Sequence, residues 1–405
     1  MRAVSDSRPI RIGIAGLGAA GQAFIAPIQA HPGCEWVALA EPVADTRERI
    51  APQHGVAAYA SLPELLAHDG LDAVYLATPT PMHAAQVAQA AAAGKHVLVE
   101  KPMATTLEEG RTMIEACQRA GVVLLVGHSH SYDGPIHAMR ALIDSGELGR
   151  VGMVNTWCYT DWMQRPRRPE ELDVALGGGV TFRQGAHQFD ILRLLCGGLA
   201  TRVKAKTFDW NPQRRSVGAH TVFIDFDNGA SATAVYNGYG RFASMDLGFD
   251  ISEWGFHQPP GQRPRPSRPA AGLSPEAALA QALRDKQQRA GSAIPAQAPH
   301  QPFFGLTVVS CERGDIRQSQ EGLLVYTDEG QREITLPKHL SPRDRVMAEF
   351  HDAITGRAAA LHDGRWGLAN LELCVAAMAS SRSGCEVALL AQVALPTPQA
   401  ALPPT

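Results

Sequence analysis

The chain is predicted to be an α/β protein, with an N-terminal Rossmann-type, doubly wound parallel sheet followed by an α+β unit built on a largely antiparallel open sheet. Three observations carry this prediction. The apolar run Ile10–Ala15 breaks into the pattern Gly16-Leu-Gly18-Ala19-Ala20-Gly21. From residue 10 to about 126, short apolar segments alternate with alanine-rich stretches of helical character, the rhythm of a parallel sheet with helical crossovers. After Gly127 that rhythm gives way to longer strand-like segments separated by turns, as expected of an antiparallel sheet.

The glycine turn has a mechanical reading. The first glycine permits the tight strand-to-helix turn, the second lets the backbone approach a pyrophosphate, and the third lets helix and strand pack closely. The phosphates are expected at the helix N-terminus, on Gly18, Ala19 and Ala20. The second strand, Trp36–Ala40, ends at Glu41, twenty residues past Gly21. An acid there accepts ribose hydroxyls, so NAD is the cofactor implied. It also opposes NADP, whose extra phosphate would meet like charge. Further strands are expected over Ala73–Ala77, His96–Val99 and Val122–Val126, with helices over Met82–Ala93 and Leu107–Ala120.

In the second half, a helix over Pro135–Ser145 precedes a strand at Val151–Tyr159, then a glycine-rich turn and a helix over Phe182–Leu195. Sequence from Arg202 to Ser252 is β-rich. Residues 256 to about 301 differ in texture, with clustered prolines and then a short alanine-rich helix, Pro275–Arg289. They read as an insertion whose role as lid, binding loop or disordered segment stays open. Strands resume over Phe303–Cys311 and Gly322–Leu336, and helices Pro342–Thr355 and Trp366–Ser381 close the fold.

At 405 residues the chain exceeds the size of a single core. The division expected is 1–127 for the NAD-binding domain, 128–395 for an α+β substrate and oligomerisation domain, and 396–405 for a loose tail. A net charge of −3 gives no basic field for nucleic acid or an anionic membrane, so a small-molecule partner is expected. Seven cysteines without C-x-x-C spacing suit reduced thiols in a cytoplasmic protein. No stretch has signal-peptide or membrane-spanning character.

Chemistry is expected at the strand C-termini, where a doubly wound sheet holds the reactive end of its cofactor. The third strand runs into Thr78, Pro79 and, further on, His83; the fourth runs into Glu100-Lys101-Pro102. A lysine desolvated at that position gives up its proton readily or donates to a substrate oxygen. Alone, Glu-Lys-Pro would read as a solvated surface pair; the glycine fingerprint upstream shifts the balance toward function.

Together, the glycine fingerprint, the Thr78-Pro79 turn with His83, Glu100-Lys101-Pro102 and the segment from Gly177 to Asp190 resemble the glucose–fructose oxidoreductase/inositol dehydrogenase/MocA family over nearly the whole chain. The resemblance implies that Lys101 and His187 flank the reacting carbinol, that no metal takes part, and that the protein is a homo-oligomer, dimer or tetramer. Arg183, His187 and Asp190 are spaced by four and three residues, which places them on one face of a helix.

One departure bears on the substrate. Sugar-oxidising members carry an aspartate four residues before the histidine; here Arg183 stands in its place. A cation there disfavours a polyol and suits a carboxylate, and Arg165, Arg167 and Arg168 add further guanidinium forks. A proline-rich loop with its arginines paired to Glu170 and Glu171 is the alternative reading of that loop. The loop, the His128–Asp133 segment and the Phe303–Arg317 segment are similar to those of dehydrogenases of phthalate cis-4,5-dihydrodiols. That likeness implies an aromatic-precursor dicarboxylate as substrate, oxidised to its catechol. A sugar acid or inositol-like polyol, or a non-catalytic NAD-responsive role, are the competing readings. His128 and His130, taken as H-x-H on a strand, would share a face and bind substrate oxygens; with His187 they also count as possible metal ligands, a reading the family chemistry disfavours. Trp157, Tyr159, Trp162 and Phe182 serve as pocket wall or as core.

Overall fold

The computed structural model describes residues 8–127, 129–260, 274–289, 298–338 and 341–395. Its first sheet is built from β1 (Ile10–Ala15), β2 (Cys34–Ala40), β3 (Ala57–Tyr59), β4 (Ala73–Leu76), β5 (His96–Val99) and β6 (Leu124–Val126). All pairs are parallel and the order is β3-β2-β1-β4-β5-β6. The direction of winding reverses between β1 and β4, which opens a crevice at their C-terminal ends. Around it lie α1 (Ala19–Ala23), α2 (Ile25–Ala30), α3 (Ala44–His54), α4 (Leu62–Leu66), α5 (His83–Ala92) and α6 (Leu107–Ala120).

Helix α6 matches its expected span because both of its ends are written locally. Thr106 and Glu109 form a reciprocal capping box, and Gly121 ends the helix at φ +66°. The short β3 escaped the sequence reading. Its Ala-Ala-Tyr carries no strand signal of its own and is held by pairing of Ala57 to Ala38 and Tyr59 to Ala40.

Next come α7 (Gly134–Asp144), β7 (Val151–Tyr159), α8 (Pro169–Leu172) and α9 (Ala186–Cys196). The second sheet is completed by β8 (Ala200–Phe208), β9 (Ala219–Phe226), β10 (Ser231–Asn237), β11 (Leu306–Cys311), β12 (Gly314–Gln318), β13 (Gly322–Thr327), β14 (Gly330–Thr335) and a short β15 (Val387–Ala388). Nine strands run in the order β14-β13-β12-β11-β7-β10-β9-β8-β15, antiparallel except where β10 meets β7. In β9, Val222, Ile224 and Phe226 face the core while Thr221 and Phe223 face outward. Helix α10 (Pro275–Arg289) belongs to the insertion, and α11 (Pro342–Thr355) and α12 (Gly364–Ser383) follow the sheet. Prolines 264, 266 and 269 and residues 396–405 lie outside the described residues. Among the described residues no helix is long and apolar enough to cross a membrane.

Two sequence expectations need correction. The helix at Phe182 does not begin as a regular α-helix: Thr181–Gly185 is a wider π-turn that leads into α9. Its different pitch takes Arg183 off the face shared by His187 and Asp190. Strand β6 ends at Val126, and His130 opens a 3-10 turn at His130–Tyr132, so His130 does not lie on a strand. His128 itself lies outside the described residues.

Desolvation depresses two histidines, His220 in the core and His137 on α7. His220 has Nε2 3.0 Å from Gln188 Oε1 and Nδ1 3.1 Å from Thr181 Oγ1, and burial pushes it down to about 3. Burial, reinforced by Arg345 and His362, pushes His137 down to about 4. Both folded pKa values lie below the unfolded value of 6.5, so their contribution is complete above that value and is lost as pH falls toward 4. Urea denaturation is expected to show a loss of up to about 1.4 kcal/mol per pH unit from His220 across that window. His220→Gln, which has no proton to gain there, is expected to flatten the slope; an identical slope in the variant would refute this origin.

Candidate active site

The glycine turn is shaped by contact on one side and left open on the other. Gly16 has φ +88°, and a Cβ there would sit 2.8 Å from the Ala77 carbonyl oxygen. A Cβ on Gly21 would collide with the carbonyl oxygen of Gly16. At Gly18 a Cβ would meet no described atom within 4 Å, which is the space a pyrophosphate would fill. Ala19 and Ala20 follow in the first turn of α1, where backbone N–H groups lack intrahelical acceptors.

Glu41 is buried beside this turn. Its Oε2 accepts from Leu17 N at 2.8 Å and its Oε1 from Val43 N at 3.1 Å. These backbone bonds fix the carboxylate while each oxygen retains a lone pair for a ribose hydroxyl. The residues present therefore fit NAD.

The next two strand ends are tied together by His83. Its Nε2 lies 2.9 Å from the Thr78 carbonyl oxygen and its Nδ1 3.1 Å from that of Pro102. Burial pushes the ring down to about 4. Thr78 Oγ1 donates to Gln86 Oε1, and Pro79 follows as the cap of the turn at Thr80. Glu100 accepts from Tyr75 Oη at 2.7 Å and from Lys101 N at 3.2 Å. His83 and Glu100 thus brace the crevice, and the Lys101–Pro102 peptide between them is cis.

Lys101 reaches out of this frame to the second half of the chain. Its Nζ donates to the carbonyl oxygen of Arg183 at 2.9 Å. Burial, followed by the charge of Arg183, lowers the Lys101 ammonium to about 8, close enough to neutrality for proton transfer. Four residues on, His187 is buried at the start of α9 and meets the rings of His130 at 4.8 Å and Phe304 at 5.0 Å. His130 stacks on Phe304 at 4.1 Å and its Nδ1 lies 3.0 Å from Asp133 Oδ2. Trp254 borders His130, and the Arg343 guanidinium lies 5.1 Å over Trp254.

The four candidate arginines separate. Arg183 donates to Thr80 Oγ1 at 3.1 Å, and among the described residues no carboxylate lies within ion-pair distance of it. Arg167 is buried, stacks over Trp162 at 4.1 Å and donates to Glu171 at 3.1 Å; desolvation lowers it to about 10. Arg165 is paired with Asp161 at 2.7 Å, and Arg168 lies 4.0 Å from Glu170 on the outside. The insertion helix contributes Lys286, which donates to the Pro166 carbonyl oxygen at 3.4 Å and sits 3.9 Å from Glu171. Lys286 is lowered to about 8, by burial first, and the surrounding cations help to hold Glu171 at about 2. Lys101, Arg165, Arg167, Arg183 and Lys286 face Glu100, Asp161, Glu171 and Glu253, a small excess of positive charge that suits an anionic ligand.

Asp190 is buried away from Arg183. Its Oδ1 accepts from Trp366 Nε1 and its Oδ2 from Ser131 Oγ, each at 2.5 Å. Trp162 and Phe182 are buried, and Trp157 and Tyr159 half-buried in β7. Lys286, Trp254, Phe304 and Arg343 were not assigned roles from sequence. The nearest signals were the helix in the insertion and the Phe303–Arg317 segment; nothing marked Trp254 or Arg343. Among the described residues no group of three or more His, Cys, Asp or Glu is arranged to hold a metal.

Comparison with known proteins agrees with this geometry. Residues 10–128 match the oxidoreductase family model with an NAD-binding Rossmann fold, and residues 136–250 match the GFO/IDH/MocA C-terminal domain. A Comamonas testosteroni protein, 1-carboxy-3-chloro-3,4-dihydroxycyclohexa-1,5-diene dehydrogenase, is 37% identical over 376 residues, 91% of this chain and 94% of the relative. A crystal structure from Bordetella bronchiseptica RB50 has TM-score 0.83 and 38% identity, covering 94% of this chain and all of the other. An Agrobacterium radiobacter oxidoreductase solved with NAD+, L-tartaric acid and magnesium shares the fold at TM-score 0.71 and 20% identity, over 94% of this chain and 98% of its own. The chain belongs to the GFO/IDH/MocA family of oxidoreductases, and NAD is its cofactor.

Gly18→Val tests the cradle. The added side chain meets no protein atom at its Cβ, so the thermal midpoint is expected to stay within error while the NAD dissociation constant rises about tenfold or more, roughly 1.4 kcal/mol. Unchanged affinity by calorimetric titration would place the pyrophosphate elsewhere.

Proposed function

We propose that the protein is an NAD-dependent dehydrogenase of ring-carboxylated cis-dihydrodiols, and that its substrate is cis-4,5-dihydro-4,5-dihydroxyphthalate, oxidised to 4,5-dihydroxyphthalate in aerobic phthalate degradation. The observation that carries the class is Arg183: a guanidinium without a carboxylate partner among the described residues, whose own carbonyl holds Lys101. The Comamonas relative, whose name specifies a carboxylated cyclohexadiene diol, supports it.

Bound NAD supplies the hydride acceptor. On the protein side, Lys101 Nζ takes the proton of the reacting hydroxyl, with His187 on the facing wall to hydrogen-bond the same oxygen or to serve as base in its place. Arg183 grips a ring carboxylate through its fork and so fixes which carbinol meets Lys101. His130, Phe304 and Trp254 wall the ring. The ketone formed first enolises to a catechol, and the gain of aromaticity draws the reaction toward oxidation.

For the phthalate diol, Arg167 and Lys286 are the cations available to the second carboxylate. A monocarboxylated diol is the second reading, favoured by one observation: Arg167 already holds Glu171, and Arg165 already holds Asp161. Steady-state kcat/KM with the phthalate and benzoate diols separates them. At least about a tenfold preference for the dicarboxylate, roughly 1.4 kcal/mol, is expected; equal values would mean that only one carboxylate is read.

Arg183→Ala is expected to raise the substrate KM about 10- to 100-fold, the loss of a charged hydrogen-bond pair, with NAD affinity nearly unchanged. A drop in NAD affinity instead would reassign the residue. With Lys101 as the base, log kcat/KM climbs with pH and levels off above about 8, because the protonated form below that value cannot accept. Lys101→Met should lower the rate about 10²-fold or more and abolish this limb. Persistence of the limb in that variant, together with its loss in His187→Asn, would hand the role to the histidine.

A further inference from the structure

Lys101, at the strand end, is half-buried and would be covered by substrate and cofactor, so the proton it takes must leave by a route within the protein. On the side of α12, away from the glycine turn, a small cavity is lined by Lys101, Ser129, Asp190, His362, Trp366 and Asn370, with room for about one water molecule. Ser129 Oγ and Asn370 Oδ1 are both buried and find no hydrogen-bond partner among the described residues. Polar atoms in that condition are ordinarily satisfied by an ordered water. From the cavity wall a continuous chain of hydrogen bonds runs outward. Asp190 Oδ2 lies 2.5 Å from Ser131 Oγ, which lies 2.9 Å from His362 Nε2, while His362 Nδ1 lies 2.9 Å from Glu349 Oε2. The Glu349 side chain keeps 18% of its surface open to solvent, whereas His362 and Asp190 keep 1% and 2%.

We propose that Ser131, His362 and Glu349, reached from Lys101 through a cavity water and Asp190, form the path by which the substrate's hydroxyl proton reaches solvent. This rests on the reading of Lys101 as proton acceptor. In each turnover the substrate O–H bond breaks and an Nζ–H bond forms; Nζ then returns a proton through the water to Asp190. The Asp190 O–H proton passes to the Ser131 oxygen as the Ser131 hydroxyl proton passes to His362 Nε2. His362 gives up the proton on Nδ1 to Glu349, which releases it to water; the ring then returns to its Nδ1–H tautomer and the Ser131 hydroxyl turns back to Asp190 before the next turnover. Every bond to hydrogen that forms is matched by one that breaks, and no electrons change hands. Ser131, His362 and Glu349 touch neither substrate nor cofactor and act through Asp190 and Lys101.

The setting of His362 suits a relay group. Glu349 of α11 and Asp190 of α9 favour its charged form, while burial and Arg193 of α9 oppose it. His137 of α7 also faces it, the Tyr132 ring stacks on it at 4.1 Å, and Trp366 of α12 closes the remaining side. Although burial opposes charge, the attraction of Glu349 and Asp190 outweighs it and raises His362 above its ordinary value, so the ring readily takes a proton, which the contact at Nδ1 lets it pass to Glu349.

The test follows proton release with a pH-indicator dye and NADH formation by absorbance, in single turnovers of Ser131→Ala, Glu349→Gln and the unaltered enzyme with NAD and a dihydrodiol carboxylate. In the unaltered enzyme protons and NADH appear together. In both variants proton release is expected to lag NADH and steady-state turnover to fall about tenfold, with recovery on adding imidazole or a small amine buffer that substitutes for the lost relay. Concurrent proton release in both variants, or a rate loss that no buffer restores, would overturn the relay; the second pattern would assign these residues to packing alone. Lys101→Met distinguishes failure of the underlying reading. A full rate in that variant removes Lys101 from proton transfer, whereas a slow Lys101→Met beside unaffected Ser131→Ala and Glu349→Gln rejects only the relay.

Discussion

The hydrogen bond from the Lys101 ammonium to the Arg183 carbonyl, 2.9 Å long and bridging 82 positions of sequence, joins the two chemistries of the site. On the Lys101 side it reaches the end of β5, held by Glu100 and by the His83 ring that spans two strand ends. On the other side lies the π-turn that carries the Arg183 guanidinium, free of an ion pair among the described residues, and leads directly into His187. A carbonyl adds no negative charge to offset desolvation, so it lets burial lower the amine toward neutrality where a carboxylate would have kept it charged. The same short turn thereby sets the distance between the Lys101 amine and the Arg183 guanidinium.

Much of the first sheet was legible because its information is local. An apolar run into three spaced glycines, an acid ending the second strand, and a capping box at Thr106 each specify structure within a few residues. Lys101 was legible for a related reason: the end of a parallel strand has a known place relative to the crevice. The nine-stranded second sheet was legible in kind, although β12 was missed and β13 and β14 were read as one stretch. A five-residue strand with two glycine-linked neighbours carries too little pattern to be separated.

The site beyond the crevice was less legible. Arg165, Arg167 and Arg168 were read as anion-binding forks, with pairing to Glu170 and Glu171 as the alternative; Asp161 and Glu171, four residues from Arg165 and Arg167, take those two up. Asp190 shared the helical spacing of His187, but its carboxylate is claimed by Trp366 and Ser131, the former 176 positions away. Such partners come from elements that meet only in the folded chain. Helix α10 illustrates the same limit. Its position was foreseen, and only the fold shows that it brings Lys286 to the arginine loop.

Within the GFO/IDH/MocA scaffold this chain carries a cation, Arg183, four residues before His187, and the helix α10 brings Lys286 beside Glu171. The most direct measurement of the central claim is a crystal structure of the protein with NAD and a non-reactive ring-carboxylate analogue of the dihydrodiol. The account requires a carboxylate of the analogue on the Arg183 guanidinium and, in the same molecule, a hydroxyl within about 3 Å of Lys101 Nζ. A ligand whose carboxylate turns to solvent while its hydroxyl meets Lys101, or one that leaves Lys101 untouched, would contradict it.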